Sequence, residues 1–151
     1  MAEDIHGKAV GCVVLRDNQV LLVRHTYGSA KGKLLIPGGH VQQDEMPEEA
    51  ARRELLEETG IVAEPTDILC VRFKPGDWYV VYRMSYISGE PRSDGGENSQ
   101  AIFLDIDEAV RQEDITEFSR VIIGSCNAPG LAQNSYCPEQ SPPESYRVYG
   151  L

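Results

Sequence analysis

The chain predicts an α/β domain, and three observations carry that expectation. Short apolar runs rich in β-branched residues stand on both sides of one glutamate-rich helical segment. Thr59-Gly60 closes that segment, glycine supplying a left-handed turn. Two further helical patterns follow the last strand. With 151 residues, 41% hydrophobic and 25% charged, the chain is long enough for one self-sufficient core.

Lys8–Leu15 (KAVGCVVL) predicts a strand, Arg16-Asp17-Asn18-Gln19 its turn, and Val20–Arg24 the return strand. Tyr27–Lys33, with two glycines, is a loop, and Leu34–Pro37 leads into Gly38-Gly39. The helix starts at Pro47, where a missing N–H is no loss. Met46 precedes it, so the cap is weaker than a serine or threonine would provide, by about 1 kcal/mol. Ala50, Ala51 and Leu55 form a thin apolar stripe toward the sheet. Ile68–Phe73 and Trp78–Ile87 are two more strands joined by Lys74-Pro75-Gly76-Asp77. Ser88–Asn98 is a loop rich in glycine and acid, and Gln100–Leu104 a short strand. Asp107–Gln112 begins a second helix, and Thr116–Gly124 is a third with Phe118, Val121 and Ile122 inward. Residues 1–125 therefore form the domain. Residues 126–151, rich in proline, serine and tyrosine, are either disordered or an extended arm on the domain or a neighbouring subunit.

A net charge of −10 excludes nucleic-acid duplexes as partners, because binding the phosphate backbone needs a basic surface. It leaves room for a small polyphosphate bridged by metal ions. The polar start, MAEDIHGK, lacks a secretory apolar run, and no stretch approaches membrane-spanning length, so a cytoplasmic protein is expected. Cys12, Cys70, Cys126 and Cys137 form no C-x-x-C pair, and Cys12 and Cys70 are expected to be buried, reduced thiols. His6, His25 and His40 are scattered.

The chemistry concentrates between Gly39 and Ile61. Seven acids there (Asp44, Glu45, Glu48, Glu49, Glu54, Glu57, Glu58) face two arginines, Arg52 and Arg53. Helix geometry puts Glu54 beside Glu57 and Glu58, at i+3 and i+4. Like charges at that spacing repel, and a divalent cation relieves the repulsion. Mg²⁺ takes oxygen ligands and keeps waters that a substrate phosphate can displace. Arg53 stands four residues from both Glu49 and Glu57, and a loop folding back brings Glu45 to it, so its guanidinium orients carboxylates. An acidic helix is more often a plain solvated face. The exact spacing argues otherwise.

From Gly39, five residues precede Glu45, and seven more precede Arg53-Glu54-Leu55-Leu56-Glu57-Glu58-Thr59-Gly60-Ile61. This resembles the Nudix box at every specified position, and flanking features extend the resemblance from about Lys8 to Val110. The resemblance implies an α/β/α sandwich with a mixed sheet between helices. It implies Mg²⁺-dependent cleavage, with Mn²⁺ as substitute, of a nucleoside diphosphate linked to another group. Carried over by position, Glu57 and Glu58 are direct metal ligands, and Glu54 binds metal directly or through water and is one candidate to activate the attacking water. The Gly38 carbonyl completes the shell, while Arg53 with Glu45, beside Gly39, braces it. Glu97, from the acidic loop, adds a ligand or acts as the base, with Asp94 the lesser alternative. Arg24 contacts substrate phosphate or else lies over the sheet as a surface arginine. Of the aromatic residues Phe73, Trp78, Tyr79 and Tyr82, Trp78 is the candidate to stack on the base, the alternative being core packing. Pro75 stands where ADP-ribose-cleaving members place a proline, which leans the substrate toward ADP-ribose or a nucleotide sugar. A nucleoside triphosphate pyrophosphatase and a non-catalytic nucleotide-binding module are the rivals. Homodimers are common in the family, so self-association stays open.

Overall fold

A computed structural model describes residues 7–151; the polar N-terminal stretch and His6 lie outside the described residues. The first hairpin pairs β1 (Lys8–Arg16) with β2 (Gln19–His25), and Asp17 takes a positive φ of 55° in the turn, a conformation aspartate tolerates. Two short strands follow, β3 (Leu34–Leu35) and β4 (Gly38–His40), and then helix α1 (Pro47–Thr59). Next come β5 (Val62–Lys74), β6 (Asp77–Ser88) and β7 (Asn98–Asp105). Helices α2 (Ile106–Val110) and α3 (Glu117–Gly124) precede two C-terminal strands, β8 (Leu131–Asn134) and β9 (Val148–Tyr149).

The sheet runs β3-β2-β1-β6-β5-β8-β9, with β4 on β1 and β7 on β2. It is mixed: β1 and β6 are parallel, from Lys8 opposite Trp78 to Leu15 opposite Ser85, and the other ladders are antiparallel. Alternation along β1 then feeds two cores. Val10, Cys12 and Val14 pack toward α1 with Ala50, Ala51, Leu55 and Met84. Val13 faces the other way, joining Val81, Ala109, Ile122 and Ile123 beneath α2 and α3. One helix on one face and two on the other make the α/β/α sandwich.

Several expectations meet corrections. In α3 the buried residues are Ser119, Ile122 and Ile123, while Val121 is 57% exposed and Phe118 is also exposed. The cause is polar: Ser119 Oγ accepts the Ile36 N–H at 3.1 Å, which rotates the helix to present that face. Strand β5 starts at Val62, six residues before the expected start, and carries Pro65 and three register shifts that absorb its polar residues. Met46 makes no side-chain cap, yet Glu49 Oε1 accepts the Met46 N–H at 3.0 Å, half of a capping box. Cys12 and Cys126 are buried, Cys70 and Cys137 are half-buried, and all four are free thiols.

The segment after Cys126 lies on its own domain. Strand β8 pairs with β5 through Asp67 and Ile68, and β9 pairs with β8. Tyr149 donates to Glu48 Oε2 at 2.9 Å and meets Tyr82 edge-on, while Arg147 forms an ion pair with Glu48 at 2.6 Å. Those two partners explain how an acid 5% exposed is accommodated.

Candidate active site

Where the C-terminal half of α1 faces β4 and the loop before β7, a cleft of about 580 Å³ opens. Two glycines let the backbone close on the helix. A Cβ on Gly38 would stand 2.1 Å from the Val10 carbonyl oxygen, and one on Gly39 would stand 2.4–2.6 Å from the Glu54 carboxyl. The Gly38 N–H donates to Glu58 Oε1 at 3.2 Å. At the C-terminal end of the helix, Gly60 takes φ 75° and its N–H donates to the Leu56 carbonyl, ending the helix at Thr59.

Arg53 organises the acids on this wall. Its Nε and Nη2 grip the two Glu45 oxygens at 2.7 and 3.0 Å, a bidentate fork. Nη1 donates to Glu54 at 2.9 Å and Glu57 at 3.2 Å, and Nη2 also reaches the His40 carbonyl at 3.1 Å. The fork holds the Glu45 carboxyl below its ordinary range. Glu54 is raised instead, because burial outweighs the hydrogen bond from Arg53. Glu58, 3% exposed, is pushed up to about 8 by burial against the Gly38 hydrogen bond, with Glu54, Glu97 and Asp94 adding repulsion.

The opposite wall comes from distant sequence. Glu97 lines the cleft, as does Asp94, but the Asp94 carboxylate is occupied locally, accepting the Gly96 and Asn98 N–H groups at 2.9 and 3.0 Å. Asn98, 1% exposed, donates to the Glu58 carbonyl at 2.9 Å and so ties this loop to α1. His25 and Tyr27 complete the rim with rings stacked at 5.1 Å and 14°, and Tyr79 lies between the walls.

Six of the expected site residues therefore border one cleft: Gly38, Gly39, Glu54, Glu57, Glu58 and Glu97. Arg53 and Glu45 stand behind them as the brace. Two do not join them. Arg24 donates to Asp114 at 2.6 Å, the Gly32 carbonyl at 2.7 Å and Gln100 at 3.1 Å, so its fork binds three chain segments together away from the cleft lining. Trp78 packs against the core cluster beneath α1. Its neighbour Tyr79 points to the other face of the pleat and reaches the cleft, as strand alternation requires. His25, Tyr27 and Asn98 were absent from the sequence-based set; each reaches the site through pairing of β2 with β7, which no local spacing encodes.

The donor set suits a hard divalent ion, since every cleft acid offers oxygen and two have carboxyls raised by burial and mutual repulsion. Among the described residues, no three His, Cys, Asp or Glu side chains converge on one ion position. The acids ring the cleft, and the Arg53 guanidinium sits between Glu54 and Glu57.

Fold and site together define a sheet-and-helix domain built around a carboxylate-lined cleft. A family model for the NUDIX domain matches residues 5–124, and the chain belongs to the Nudix family. An ADP-ribose pyrophosphatase of Methanocaldococcus jannaschii is 32% identical over 104 residues, 65% of this chain and 61% of that protein. Phosphatase NudJ of Escherichia coli K12 is 48% identical over 58 residues, 37% of this chain and 36% of its own. The chain thus spans about three fifths or less of the length of these curated relatives. A solved MutT NUDIX hydrolase from Burkholderia pseudomallei superposes with a TM-score of 0.64 at 27% identity, covering 77% of this chain and 94% of the other. Members of the family generally use a divalent metal. Among the described residues, no helix is long and apolar enough to cross a membrane.

Proposed function

We propose that this protein hydrolyses a phosphoanhydride bond in a nucleoside diphosphate linked to another group, with ADP-ribose or a nucleotide sugar as substrate, in the presence of Mg²⁺ or Mn²⁺. The observation that carries the reading is the Arg53-braced pair Glu54 and Glu57, with Glu58 held by the Gly38 N–H beside them, facing Glu97 across one cleft. The similarity to an ADP-ribose pyrophosphatase supports the substrate class.

Glu54, Glu57, Glu58 and the Gly38 carbonyl, with Glu97 opposite, would hold the metal. When bound it supplies charge neutralisation at the phosphates and lowers the pKa of water. The chain's own residues do the rest. Arg53 orients Glu54 and Glu57 on one wall of the cleft, which limits the rearrangement needed to draw them onto a shared ion. Glu54 or Glu97 accepts a proton from the attacking water, as a carboxylate within hydrogen-bond reach. The water oxygen bonds to phosphorus, and the bridging oxygen leaves with its electron pair. The products are a nucleoside monophosphate and a second phosphorylated fragment. The free thiols accord with a cytoplasmic setting.

The test is a Mg²⁺-dependent panel of ADP-ribose, nucleotide sugars and nucleoside triphosphates, with products identified by mass spectrometry. AMP plus ribose 5-phosphate from ADP-ribose upholds the reading. Pyrophosphate from triphosphates alone would move the substrate class, and nucleotide binding with no turnover would make the chain a binding module.

A further inference from the structure

We infer that the stacked His25–Tyr27 pair is the platform on which the substrate's aromatic base lies, and that Tyr27 determines preference for a nucleotide over a base-free sugar phosphate. This rests on the reading of the cleft as a nucleotide site.

Four observations point there. One Tyr27 ring face is covered by the His25 imidazole at 5.1 Å and 14°, while 52% of the residue stays exposed, leaving the other face for a ligand. An exposed aromatic that is already stacked has little freedom left to lose, which favours binding. Both residues line the same cleft as Glu54, Glu57, Glu58 and Glu97, so a base on Tyr27 and phosphates at the acids belong to one molecule. Burial lowers the pKa of the His25 imidazole beneath Tyr27 from its ordinary value, against the opposing pull of Glu97 and Asp94. The platform is also fixed to the acid loop. Thr26, which separates His25 and Tyr27 in sequence, donates its hydroxyl to the Gly96 and Glu97 carbonyls at 2.6 and 3.0 Å, and its N–H to the Glu97 carbonyl at 3.0 Å. Base platform and acid therefore keep a set separation.

Calorimetric titration of the magnesium-loaded protein with AMP and with ribose 5-phosphate tests this. The wild type should bind AMP more tightly by roughly 5- to 150-fold, the worth of one base–aromatic stack. Tyr27→Ala should erase that preference and leave ribose 5-phosphate affinity unchanged. Tyr27→Trp should restore it, with the added indole responding to AMP and not to ribose 5-phosphate. Tyr27→Ala retaining the AMP preference, or weakening both ligands equally, overturns the platform. A protein that prefers AMP but hydrolyses nothing in the substrate panel sinks the catalytic reading and upholds the platform. One that hydrolyses ADP-ribose while binding both probes alike sinks the platform alone.

Discussion

The two walls of the cleft are built by opposite means. On the α1 wall, Arg53, Glu54, Glu57 and Glu58 fall within two turns, and one guanidinium holds three of the acids Glu45, Glu54 and Glu57. Facing it, Glu97 and the His25–Tyr27 stack come from adjoining strand ends about 70 residues apart in sequence, joined by the β2–β7 ladder and by Thr26. The helical wall concentrates negative charge in a partly buried place, where repulsion is strong. The sheet wall carries less charge and more aromatic surface. Such a division suits a ligand with anionic and aromatic ends.

Substitutions can break this contrast, and the largest effect belongs to the helical wall. Glu57→Gln should lower kcat by about 10²–10³-fold with the fold intact, as loss of a preorganised charge-stabilising group does. Steady-state kinetics at saturating Mg²⁺ beside a circular dichroism spectrum would check it, and full activity would remove Glu57 from the ligand set. Arg53→Lys should fall less far, on the order of tenfold or more, because an ammonium has no fork to grip both Glu45 oxygens. Kinetics showing a lowered kcat with KM little changed is the expected result.

Glu58→Gln sharpens the electrostatic side. The native carboxyl, pushed up to about 8, binds its proton more tightly than the unfolded chain does. The Glu58 contribution to metal-free stability is therefore greatest below the unfolded value and declines as pH rises toward 8, by an amount on the order of a few kcal/mol, so it is read from the difference between wild type and variant. In chelator, a melting-temperature series across pH 4 to 9 should show that decline in the wild type, and a flatter profile in Glu58→Gln. A wild-type profile as flat as the variant's would refute the burial argument. The smallest effect is expected at Arg24. Arg24→Ala should lower stability by about 1–3 kcal/mol, through the charged hydrogen bonds it leaves unmade. KM should stay as in the wild type, whereas a raised KM would restore Arg24 as a phosphate contact.

The same contrast separates what was legible in the sequence from what was not. The α1 wall was readable because i, i+3 and i+4 spacing is a local property, and Pro47 and Gly60 mark the helix ends chemically. Even the Glu45–Arg53 fork needed only a short loop to close. The sheet wall depends on register. Whether Trp78 or Tyr79 meets the cleft turns on the phase of β6, set by its parallel pairing with β1. In α3, apolar residues at 118, 121, 122 and 123 allow two faces, and a single serine hydroxyl on a distant N–H decides between them. Arg24 stands one residue before the end of β2, and only the position of Asp114, ninety residues on, shows that it is a strut.

The far end of α1 has a practical consequence. Arg147 and Tyr149 hold the Glu48 carboxylate at the first turn of the same helix that carries Glu54 and Glu58. Trimming the last five residues for crystallisation would strand a buried anion at the root of the site helix.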